Sequence, residues 1–118
     1  MSVIVLFPVL KNLMLSDLKK VGVNLEKDIL VLKPFSKTMY GNYKPRNNKI
    51  TLYVYDDIEK KKLYAYNFLF DTLLHEVTHY LQWNDKNFKR EKNVMHNKEF
   101  YNIYNNLIAL SIERRIIK

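Results

Sequence analysis

The segment LLHEVTHYLQW, Leu73 to Trp83, carries two of the chain's three histidines four residues apart, with a glutamate directly after the first. On a helix, His75 and His79 are separated by about 40° and one turn of rise, so both imidazoles can reach a single ion. With His75 as origin, Phe70, Leu74, Val77 and Leu81 fall at about 200–260°, whereas Thr72, Glu76, His79 and Trp83 lie within about 100° on the other side. The apolar stripe and the histidine face are therefore distinct. Glu76 stands about 100° round from His75, near enough to reach a water on the metal without being an evident ligand. Zinc lowers the pKa of bound water to about 7, so a neighbouring carboxylate can take a proton as the oxygen attacks a carbonyl and then deliver it to the leaving amine. The spacing thus points to His75 and His79 as zinc ligands and Glu76 as general base of metal-assisted peptide hydrolysis.

A catalytic zinc site takes three protein ligands and keeps a fourth position open. The chain has no cysteine, which excludes thiolate zinc sites, disulfides and a cysteine nucleophile, so the third ligand must be histidine or carboxylate. His96, the remaining histidine, stands in MHNKEFYNIYNNL. If helical pitch reaches back to it, it lies within about 40° of Phe100, Ile103, Leu107 and Leu110, the stripe expected to pack on the motif helix. His96 is the expected third ligand, and Glu99, about 60° off that stripe, is the competing one.

Together, LLHEVTHYLQW and, seventeen residues after His79, HNKEFYNIYNNL resemble the SprT-like zinc metalloproteases, the family of Spartan. The resemblance spans about Met39 to Leu110 and implies zinc binding by His75, His79 and His96, catalysis by Glu76, and Phe100 as the family's aromatic. It implies a minimal zincin-like α+β fold in which a hairpin precedes the active-site helix and an exposed strand pairs with an extended protein or peptide substrate. TMYGNYKPRNNKITLY fits that hairpin, with Tyr40, Gly41, Asn42 and Tyr43 as substrate-binding residues on the strand and Gly41 permitting close approach. Many family members carry a cysteine zinc ribbon after the protease domain, and this chain has none. Its size also resembles the minimal gluzincins, some of them latent, whose third ligand is glutamate.

Several elements must position these residues. Leu6, Leu10, Leu13, Leu15 and Leu18 have roughly helical spacing, and Pro8 suits a helix start, which predicts a first helix over about 8–20. DILVLKPF, KTMYGNYK and KITLYVYD read as three strands, the last alternating Ile50, Leu52 and Val54 against Thr51, Tyr53 and Tyr55, with PRNN as a turn. No Gly or Pro interrupts Ile58 to Trp83, which reads as one long helix capped by Asp56 or Asp57, and a last helix is expected over about 97–115.

The 118 residues, 47% apolar and 14% aromatic, suit one domain, 1–118, with a packed core. MSVIVLFPVL lacks a basic start and a cleavage site and is too short to span a bilayer, so a cytoplasmic protein without membrane contact is expected. A net charge of +8 makes DNA a candidate partner, with Lys86, Lys89, Arg90 and Lys92 clustered beside the proposed site. Sixteen of the twenty basic residues are lysine, as solvated surfaces also require, so the rival reading is a nucleic-acid-binding module with a structural or vestigial metal site. The apolar tail IALSIERRIIK could reach the cleft in a latent enzyme or simply pack on the core. Among Tyr40, Tyr43, Tyr80, Tyr101 and Tyr104, the sequence singles out no oxyanion stabiliser.

Overall fold

Leu6, Leu10, Met14 and Leu18 recur every fourth residue, and helix α1 (Val3–Lys20) turns them toward the core, with Met14 and Leu18 wholly buried. The computed structural model describes residues 3–59, 62–85 and 96–117. α1 begins five residues before the expected start, with Pro8 inside it. A proline this close to the N-terminus removes one intrahelical bond, to the carbonyl of Ile4, and only one turn precedes it to be disturbed. Leu13, assigned to the apolar stripe by spacing, faces water. α1 closes on Gly22, whose φ of 85° lets Val23 N–H turn back to the Leu18 carbonyl at 2.9 Å.

Three short strands follow: β1 (Leu30–Lys33), β2 (Gly41–Lys44) and β3 (Lys49–Tyr53). The sheet order is β1-β3-β2, with β1 parallel and β2 antiparallel to the central strand. The β2–β3 hairpin turns through Pro45–Asn48, where Asn48 takes a φ of 56° that asparagine tolerates. Ile50, Leu52 and Val54 are wholly buried, as alternation predicts, but Thr51 and Tyr55 are buried too. The other face is therefore covered as well, in part by Phe7 of α1 against Tyr55.

The motif helix, α2 (Tyr66–Trp83), starts eight residues later than expected. The segment before it continues β3 instead: Tyr55 pairs antiparallel with Leu63, Tyr64 N–H donates to the Val54 carbonyl, and Asp56 N–H donates to the Lys62 carbonyl. A helix from Ile58 would break these bonds and gain little, since Ile58 is 64% exposed. Ala65, not an aspartate, occupies the N-cap. The start of α2 is tied instead to α1 by the Tyr66 hydroxyl, which donates to Asp17 at 2.6 Å, while Lys20 pairs with the same carboxylate.

The last helix, α3 (Lys98–Glu113), is capped by Asn97, whose side chain accepts from Phe100 N–H at 2.9 Å. It ends where Arg115 adopts a φ of 61° and the N–H groups of Ile116 and Ile117 turn to the Ser111 carbonyl. Ile116 and Ile117 pack against the core, and no described residue of this tail lines the cleft described below. The fold is α+β, with three helices and a small mixed sheet among the described residues. No helix there is long and apolar enough to cross a membrane.

Gly41 joins sheet to helix. A Cβ there would lie 2.9 Å from the Thr51 carbonyl oxygen and 3.2 Å from Thr72 Cγ2 of α2. Gly41→Ala is expected to destabilise the fold by about 1–3 kcal/mol through this overpacking, read as a lowered urea midpoint. An unchanged midpoint would mean that β2 can move away from α2 freely.

Candidate metal centre

α2 presents His75 and His79 on one face, one turn apart, with ring centroids 5.1 Å from each other. His96 arrives from another element. It lies just before the Asn97 cap, outside α3, so helical pitch does not reach back to it, yet it stands beside the other two histidines. Its Nε2 stands 3.2 Å from His79 Nε2, and ligand atoms of all three histidines lie within 4.8 Å of one another. Two nitrogens bonded at 2.0–2.1 Å to a tetrahedral zinc stand about 3.3 Å apart, so the His79–His96 pair already has the required spacing. The donor set suits a metal ion.

Phe100 is the platform under this group. Its ring, wholly buried, lies 5.0, 4.7 and 4.5 Å from the rings of His75, His79 and His96. Because Phe100 sits in the first turn of α3, packing that turn on α2 also delivers His96. Gln82, three residues after His79 and 3% exposed, fastens the same junction: its amide donates to Glu99 Oε1 at 3.1 Å and reaches Asn97 Oδ1 at 3.4 Å. Glu99 is thereby directed to Gln82 and stands outside the three-histidine group.

Glu76 is 6% exposed, and among the described residues no cation pairs with it. Burial pushes its carboxyl up to about 7. Burial pushes His79 down to about 4, helped by repulsion from His75 and His96, and burial likewise lowers His75, with repulsion from His96 outweighing the opposing pull of Asp71. Neutral imidazoles, the form that binds metal, are therefore favoured near neutral pH.

The group opens into a cleft of about 590 Å³ lined by the three histidines and Glu76, and by Tyr40, Gly41, Asn42 and Tyr43 opposite. All four substrate-binding residues expected from sequence thus face the metal group, although Tyr40 lies just before β2 and not in it. The Tyr40 carbonyl still accepts from Tyr53 N–H at 3.0 Å. Of the other tyrosines considered, Tyr104 lines the cleft, Tyr80 packs edge-to-face on Tyr43, and Tyr101 is outside the lining.

Sequence reasoning missed Asp71 and Gln82. Asp71 lies one turn before His75, lines the cleft, and accepts a hydrogen bond from the Tyr104 hydroxyl, tying α2 to α3. Burial and this bond raise the Tyr104 phenol above its usual range. The signal was available, since Asp71, His75 and His79 follow one another at four-residue intervals on one helix face. The basic cluster of Lys86, Lys89, Arg90 and Lys92 lies outside the described residues. Comparison with protein-family models, with curated proteins and with solved structures finds no match.

Two outcomes follow from this geometry. Gln82→Ala should weaken metal binding about tenfold or more without removing a ligand, measured by competition with a chromophoric chelator. Unchanged affinity would mean that Phe100 packing alone fixes His96. In metal-free protein, Glu76 is raised from an unfolded value near 4.5, so its contribution is intact below that value and is lost as pH rises through about 7. Glu76→Gln should accordingly stabilise metal-free protein by on the order of 2 kcal/mol at pH 8, with the gain vanishing by pH 4, as read from urea unfolding. A gain that does not vary with pH would contradict the burial argument.

Proposed function

We propose that this chain is a zinc-dependent endopeptidase of SprT-like type, with His75, His79 and His96 as metal ligands and Glu76 as the proton-transfer group. The observation that carries this reading is a buried carboxylate directly beside a three-histidine group, in a cleft bordered by the edge of a sheet. The rival reading, a nucleic-acid-binding module with a structural metal site, has no use for that carboxylate, whose burial is unfavourable when ionised. The engagement of Glu99 with Gln82 favours the SprT-like ligand set over the gluzincin one.

Bound zinc supplies Lewis acidity toward a carbonyl oxygen and makes water a better nucleophile. Glu76, buried in the cleft beside the histidines, is placed to accept a proton from the attacking water and return it to the departing amine nitrogen. The peptide is held by β2. Tyr40 pairs with Tyr53 through its carbonyl, and antiparallel alternation then directs the N–H and C=O groups of Gly41 and Tyr43 away from β3. Those groups form an outer edge on which an extended peptide can add as a further strand. The Tyr43 side chain is held aside by its hydroxyl, which donates to Asn48 Oδ1 at 2.6 Å.

Glu76→Gln should abolish casein hydrolysis while leaving one zinc per chain, with metal counted by mass spectrometry. Loss of zinc would make Glu76 a ligand, and activity near wild type would remove it as base. In the same assay His96→Ala should lose zinc and Glu99→Ala should keep it; the reverse would overturn the ligand set.

A further inference from the structure

The helix face that carries the histidines continues for two more turns toward the start of α2. Phe68, Thr72, His75 and His79 lie within about 60° of one another on it, and each lines the cleft. At that end Phe68 meets Tyr40 edge-on at 5.0 Å and Tyr64 at 4.7 Å, and Tyr40 meets Tyr64 at 5.7 Å. Tyr40 is 57% and Phe68 37% exposed and both line the cleft, so with Tyr64 packed behind them they form an aromatic shelf open to water and continuous with the histidine group. Resting on the peptidase reading above, we propose that this shelf binds a bulky apolar side chain of the substrate, about three or four residues C-terminal to the cleaved bond.

The direction comes from the packing of β2 on α2. Gly41 lies beside Thr72, Tyr43 stacks its ring edge on Tyr80, and Asn84 reaches the Tyr43 hydroxyl, so the strand and the helix run in the same sense. An added strand pairs better antiparallel than parallel, which puts the N-terminal part of the peptide beside Tyr43 and its C-terminal part beside Tyr40 and the shelf. The distance comes from helix rise. Phe68 precedes Glu76 by eight residues, about 12 Å along the axis, and an extended peptide covers that in between three and four residues at about 3.3 Å each. The chemistry comes from the rings: edge-to-face aromatics accept a further aromatic or large aliphatic group and gain from covering one another's exposed area.

The test uses end-blocked eight-residue peptides of alanine and threonine in which a single phenylalanine is moved position by position, cleaved by the zinc-loaded protein. The cleaved bond is identified by mass spectrometry. The value of kcat/KM is expected to be about tenfold higher with phenylalanine at the third or fourth residue after the cleaved bond than with alanine there. Phe68→Ala and, independently, Tyr40→Ala should bring that ratio close to one. A ratio that neither substitution changes would overturn the shelf, as would a preference for phenylalanine only on the N-terminal side. Binding of the same peptides, fluorescein-labelled, to Glu76→Gln by anisotropy separates this proposal from the peptidase reading. Tighter binding of the phenylalanine peptide that is lost in Glu76→Gln/Phe68→Ala supports the shelf even if wild type cleaves nothing. Equal binding of phenylalanine and alanine peptides overturns it even if wild type cleaves casein.

Discussion

Three imidazoles rest on one phenyl ring, and the arrangement of the candidate site depends on that contact. His75 and His79 are brought together by helical pitch alone, a local consequence of four-residue spacing. His96 is seventeen residues further on and has no such guarantee. It reaches the pair because Phe100, in the first turn of α3, is buried against both α2 histidines, and because Gln82 and Asn97 fix where that turn begins. Changing the packing of one helix start would therefore move His96 without touching any of the three histidines.

Burial also sets protonation on α2. His75 and His79 resist becoming cations, and the carboxylate of Glu76 resists becoming an anion. A metal-free cluster of this kind is an unfavourable arrangement for the fold to maintain, because ionising Glu76 above about pH 7 lacks a compensating cation. A divalent ion bound by the histidines would offset that deficit, and its binding would then couple to folding stability through Glu76 as well as through the imidazoles. Departures from ordinary burial rules concentrate at sites of function, and here they fall on the residues of the motif.

The features legible in the sequence were those governed by local periodicity. The period of 3.6 separated the histidine face of α2 from Phe70, Leu74 and Val77, all wholly buried, and the period of two found β3. Non-local pairing defeated the same reasoning. The stretch from Ile58 to Lys62 has no helix breaker, yet its flanks are bonded back to Val54 and Tyr55, and no pattern within the segment reveals that. His96 was found because the chain has so few histidines, and its geometry follows from the α3 cap, not from a helical wheel. Gln82 and Asp71 escaped notice because their roles are relations across helices: Gln82 to the α3 cap, and Asp71 to Tyr104.

The proposed chemistry rests on three histidine ligands with a fourth position left open. X-ray absorption at the zinc edge of the loaded protein reads this directly. Three imidazole nitrogens, recognised by the multiple scattering of their rings, and one further oxygen ligand, all at about 2.0 Å, are predicted. A best fit with two imidazoles and protein carboxylate, or with zinc shared between two chains, would contradict it.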